Sequence, residues 1–220
     1  MESQVRGGTR WKRFAVVMVP SVAATACIGI ALAQGALAAS FSVSGQSFKV
    51  TADELHGKGF VQYGAIDLET DVKSGDDVHP VAVSSFKSAH IQNMCQSVVT
   101  PNVPFFGSAT LTLRAGDSKS EDKQVSADNL YIDVEDLGAD KAVFGGIDIG
   151  VAAGNTGADK GGKGPGMKGG GEHADPNGFA QQADTADLYG VHQTAWATTA
   201  GTFTLPGLSM KISTGSHPCY

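Results

Sequence analysis

Charge is scarce in this chain of 220 residues, since only 17% of them are Asp, Glu, Lys or Arg, against roughly 25% in average soluble domains. Acidic residues outnumber basic ones by 22 to 16, so the chain has no excess of the basic groups that nucleic acid binding requires. The 29 glycines follow no three-residue period, which excludes a collagen-like protein. We therefore expect a β-rich domain, long enough to bury a core, with no nucleic acid partner.

Charge is absent altogether between residues 14 and 39. Four basic residues precede this apolar run, and small residues at Ala36 and Ala38, near its end, have the spacing of a signal peptidase site. This pattern predicts a signal peptide over residues 1–38. The run is also long enough to span a bilayer, so an uncleaved membrane anchor over residues 14–38 is the alternative. In both cases residues 39–220 are expected to form one extracytoplasmic domain.

Cysteine is nearly missing, and only Cys95 and Cys219 lie beyond the export segment. An isolated pair outside the cytoplasm predicts a disulfide. Closing a loop of this length contributes about 4–5 kcal/mol in the chain-entropy treatment. A catalytic cysteine is the less favoured interpretation.

Helical periodicity is also scarce, whereas alternation of apolar and polar residues recurs along the chain and predicts strands. Similar strand segments recur near residues 52, 88, 127 and 183, which suggests four units of about 37 residues once the Gly/Lys-rich tract 154–173 is set aside as an insertion in the third. The predicted fold is all-β, a repetitive strand array in the form of a β-solenoid or curled sheet, with a β-sandwich as the alternative. The Gly/Lys-rich tract 154–173 is expected to be a flexible loop within it.

Catalytic signatures are mostly missing. The nucleophile elbow Gly-x-Ser-x-Gly is absent. Ser118, in Gly116-Asp117-Ser118, is only a weak catalytic candidate, because this stretch is typical of a hairpin turn. The six histidines are scattered without the spacing of a zinc site. We therefore expect no metal and no cofactor.

Aromatic residues are few, and one sequence run stands out around Trp196. Small and β-branched residues surround this tryptophan, and the run ends at Phe203. Together with Phe105 and Phe106 these side chains could line a groove for an apolar ligand. A plain hydrophobic core is the alternative interpretation, and the more favoured one.

Three segments carry a resemblance to a known family. They are Thr-Ala-Asp-x-Leu at 51–55, Tyr-Gly-Ala-Ile-Asp at 63–67, and Gln-Thr-Ala-Trp-Ala-Thr-Thr-Ala-Gly-Thr-Phe at 193–203, followed by Leu-Pro-Gly-Leu-Ser-Met-Lys. With the basic start and long apolar run, the chain resembles an actinobacterial exported family of unknown function. Members are often labelled cholesterol esterase, but no catalytic residues follow from the resemblance.

The resemblance also implies a partner, because relatives commonly sit beside the gene of a small multi-pass membrane protein. Two functions are therefore considered. The first is a non-enzymatic cell-envelope protein, either structural or binding an apolar or lipid ligand. The alternative is a secreted lipid ester hydrolase.

Overall fold

The computed structural model describes residues 45–68, 78–105, 107–169 and 172–220. The predicted export segment 1–38 lies outside these ranges. The described part is almost entirely β, with ten strands and three single-turn 3₁₀ helices at Glu121–Lys123, Ala153–Asn155 and Ala158–Lys160. Within these ranges, no helix has the length and apolar character needed to cross a membrane. The strands are β1 Phe48–Leu68, β2 Val78–Gln92, β3 Met94–Val103, β4 Gly107–Ala115, β5 Val125–Gly138, β6 Lys141–Gly145, β7 Asp148–Ala152, β8 Phe179–Thr199, β9 Thr202–Thr204 and β10 Ser209–Thr214.

All ten strands belong to one antiparallel sheet, and four of them close a ring. β1 pairs with β2, β2 with β5, β5 with β8, and β8 returns to β1. The closing ladder runs without a register shift from Phe48 opposite Ala195 to Tyr63 opposite Ala180. Strands β3, β4 and β10 continue the sheet outward from β1 as a wing, in which β10 is the outermost strand. Closure leaves the inner face of the ring shielded from water.

Each of the four ring strands contains one anchor position of the four sequence units. The anchor positions 52, 88, 127 and 183 fall in β1, β2, β5 and β8 in chain order. Every pairing between these strands is antiparallel, whereas the turns of a solenoid would pair in parallel. Of the two predicted forms of the array, the structure therefore has the curled sheet. One sheet is present in the described residues, instead of the two that a sandwich requires.

The main hydrophobic cluster draws its residues from all four ring strands. Three phenylalanines meet inside it, with the ring centroid of Phe60 5.4 Å from that of Phe86 and 5.2 Å from that of Phe144. Gly57 lies against the ring of Phe86, where a Cβ would collide with it. Small residues thus make room for the few large aromatic ones.

The Gly/Lys-rich tract differs from the flexible loop that its composition suggests. Its described part packs on the sheet, where Met167 joins a second hydrophobic cluster that contains Val61 of β1. Thr156 is fully buried. At Gly164 a Cβ would collide with the side chain of Val61. Glycine here permits close backbone approach, a use that composition alone does not separate from flexibility.

The two cysteines are bonded, as the cysteine count predicts. Cys95 of β3 is joined to Cys219, and their Cα atoms are 6.1 Å apart. The backbone N–H of Cys219 also donates to Ser97 Oγ at 2.9 Å. These contacts fix the C-terminal tail against β3.

Candidate functional site

The inside of the ring is not completely filled. A cavity of about 210 Å³ lies between β1, β2, β5, β6 and β8. Its wall is mainly apolar and includes Leu55, Phe60, Phe86, Ile132, Leu188 and Val191. A space with such walls favours an apolar guest, because water placed there would find few hydrogen-bond partners.

Three polar side chains interrupt this apolar wall, namely Gln62, Ser84 and Gln193. The amide of Gln62 donates to Ser84 Oγ at 2.9 Å and accepts from Gln181 Nε2 at 2.6 Å. Ser84 and Gln193 are both buried. A few fixed polar groups in an apolar cavity are the usual means of orienting a ligand that has one polar end.

A second, smaller cavity of about 30 Å³ adjoins the first. The two share the lining residues Leu55, Ile132, Val191 and Gln193, so they meet at these side chains. The smaller cavity continues towards Phe203.

The larger cavity reaches the surface at the turn between β5 and β6. Leu137, Ala139 and Ala142 line it and are exposed to solvent. Phe144, which is partly buried, follows them on β6. The turn thus forms a mouth whose apolar residues are accessible from outside.

Three of the four aromatic residues proposed from sequence lie in the described ranges, and these three do not line one common cavity. Phe203 lines the smaller cavity, whereas Trp196 packs in the second cluster and stacks on His79 with ring centroids 3.6 Å apart. Phe105 is fully exposed, and Phe106 lies outside the described residues. Sequence reasoning missed the three phenylalanines of the inner cluster. Their one sequence signal is Gly57, which makes room for the ring of Phe86, and it can be recognised only after the strands are paired.

Ser118 lies in the loop after β4. Its Oγ accepts a hydrogen bond from the backbone N–H of Ser120 at 3.1 Å, and its own N–H donates to the carbonyl of Gly116 at 2.8 Å. No histidine hydrogen-bonds to it in the described part of the chain. Within the same ranges, no group of three or more His, Cys, Asp or Glu side chains is arranged to hold a metal ion.

A buried polar cluster lies beneath the Gly/Lys-rich tract. Lys168 Nζ contacts Asp133 Oδ2 at 2.9 Å, and Asp133 is 2% exposed. Tyr63 donates to Glu172 Oε1 at 2.6 Å and accepts from the backbone N–H of Lys168 at 2.9 Å. Burial raises the pKa of Glu172, and burial followed by the nearby charge of Asp133 raises the pKa of Asp67 to about 6. Because Lys168 belongs to the tract and pairs with buried Asp133 of β5, we interpret the cluster as the contact that attaches the tract to the sheet.

Sequence comparison assigns the chain to a family. The family of unknown function DUF6230 matches residues 44–220, which include all ten strands and the cavity. No curated protein matches the chain. No solved structure matches it either. Because the match covers most of the chain, the protein belongs to this family.

Proposed function

We propose that this member of the DUF6230 family is an exported cell-envelope protein that binds an apolar ligand without transforming it. The observation that carries the proposal is the apolar cavity inside the ring, with its mouth at the β5–β6 turn. An engineered cavity of about 150 Å³ holds benzene, so about 210 Å³ accommodates a somewhat larger guest. The apolar wall and the polar side chains of Gln62, Ser84 and Gln193 favour a medium-length acyl chain with a polar end.

Location outside the cytoplasm is part of the proposal. It is supported by the bond between Cys95 and Cys219, because structural disulfides persist in oxidising compartments. The predicted export segment 1–38 agrees with it. An envelope protein of this kind would exchange its ligand with the membrane, and a small multi-pass membrane protein is the partner that we propose.

A binding experiment with decanoic acid tests the cavity. The secreted protein should show saturable binding by calorimetry, and native mass spectrometry should detect co-purified acyl compounds. Ala142→Trp fills the mouth and should weaken decanoate binding at least tenfold. Ala158→Trp, at an exposed position outside the ring, is the matched control and should bind as the wild type does.

Two outcomes would contradict the proposal. One is the absence of saturable decanoate binding together with the absence of any co-purified acyl compound. The other is covalent labelling by a serine-reactive fluorophosphonate that Ser118→Ala abolishes, because this would favour the ester hydrolase alternative.

A further inference from the structure

A recess lined by positively charged side chains lies away from the ring cavity, on the wing. It has a volume of about 560 Å³ and is lined by β4, β10 and the C-terminal tail. Its ionisable side chains are Arg114, Lys211 and His217, and no Asp or Glu lines it. Residues 39–220 contain 12 basic and 21 acidic side chains, so a recess with this lining is unusual for the domain.

Strand register places the two permanent charges side by side. Ser209 lies opposite Arg114, and Lys211 lies opposite Thr112. Arg114 and Lys211 are therefore diagonal neighbours on one face, with Cα atoms about 7–8 Å apart as is usual for such positions. Neither side chain makes an ion pair with another described residue. Like charges placed this close repel each other unless an anion lies between them.

Hydroxyl groups surround these charges. Thr112, Ser209 and Ser213 line the same recess, and each can donate one hydrogen bond. Arg114 is the sole arginine of residues 39–220. Its planar guanidinium can donate two parallel hydrogen bonds to one tetrahedral oxyanion, while a lysine acts as a point charge.

The tail makes the recess a preformed site. Besides the disulfide to Cys95, the backbone N–H of His217 donates to Thr110 Oγ1 at 3.0 Å, and this hydroxyl donates to the carbonyl of Gly215 at 2.7 Å. The next basic residue on this side, Lys49, is engaged elsewhere, since its Nζ lies 4.5 Å from the ring centroid of Tyr220. A fixed wall lowers the entropy lost when a ligand is bound.

We propose that this recess binds a phosphate group, with Arg114 and Lys211 supplying the charge and the neighbouring hydroxyls completing its coordination. A lipid headgroup and free phosphate are the two sources of such a group, and the two titrations below distinguish them.

Two titrations test the proposal on the full secreted chain. In ¹⁵N NMR, inorganic phosphate should shift the amide signals of Thr112, Arg114 and Lys211 in a saturable way. In co-sedimentation, the protein should bind vesicles of phosphatidylglycerol more tightly than vesicles of phosphatidylcholine. The double variant Arg114→Ala/Lys211→Ala should weaken both interactions at least tenfold. Both side chains are exposed, so folding should be retained.

The matched control is Lys58→Ala/Lys87→Ala, which removes two exposed charges from the ring strands and should change neither interaction. Phosphate binding without vesicle binding would retain the phosphate site and make soluble phosphate its ligand. Equal losses in the two double variants would overturn the proposal, because charge alone would then explain the binding. Wild-type protein that responds neither to phosphate nor to phosphatidylglycerol would overturn it as well.

Discussion

Replacing Lys168 by methionine tests whether the Gly/Lys-rich tract is held by its buried ion pair. The change removes the partner of Asp133 Oδ2, whose contact is 2.9 Å. Asp133 Oδ1 is already buried without a hydrogen-bond partner, and the residue is 2% exposed. Breaking such a pair costs about 3–5 kcal/mol, because a charge remains buried and uncompensated. Since the Lys168 side chain is 15% exposed, we expect a loss of about 3 kcal/mol at pH 7.

Urea unfolding at pH 7 measures this loss. Lys160→Met in the same tract is the control, because that lysine contacts only the carbonyl of Gly154 at an exposed position. It should cost less than about 0.5 kcal/mol. The reasoning is refuted if the two variants differ by less than this amount.

Two further changes address the pH dependence and the disulfide. The pKa of Asp67 is raised to about 6, so the folded state binds this proton more tightly than the unfolded state does. The stability that the bound proton contributes is fully present below about pH 4 and is lost as the pH rises through 6. After allowance for solvent screening the loss amounts to about 1 kcal/mol, and the pH profile of Asp67→Asn should lack it in urea unfolding. Cys219→Ser opens a loop of 124 residues and should lower the free energy of unfolding by up to about 5 kcal/mol relative to the oxidised wild type, whereas the reduced wild type should be about as stable as the variant. An equal stability of that variant and the oxidised wild type would contradict the assignment.

Strand content was predictable because alternation is a local property of the chain. The segments near residues 52, 88, 127 and 183 showed it, and they became the four ring strands. Closure of the ring was not predictable, since it depends on the pairing of β1 with β8, whose paired residues lie more than 100 positions apart. No local pattern separates a sheet that closes from one that stays open.

Trp196 and Phe203 lie in different places for a related reason. A register shift between β5 and β8 lies beside Trp196, with Asp133 opposite Ala197 and Val134 opposite Ala195. Such a bulge changes the direction of the side chains at that point, and Trp196 packs with the second cluster. Hydrophobic composition thus identified residues that are able to line a cavity. The register between neighbouring strands determines which of these side chains face the cavity.

The cavity itself is an argument for a ligand. Empty volume in a core costs about 24 cal/mol per Å³, so about 210 Å³ corresponds to at most about 5 kcal/mol, less where the mouth admits water. This is comparable to the whole stability of a small domain. Alanines such as Ala183, Ala186 and Ala195 lie in the same buried cluster, and larger apolar side chains are the simple way to fill neighbouring space. A ring whose closing ladder between β1 and β8 has no register shift, and which still keeps an apolar cavity with an accessible mouth, supports the proposal that the cavity serves a guest.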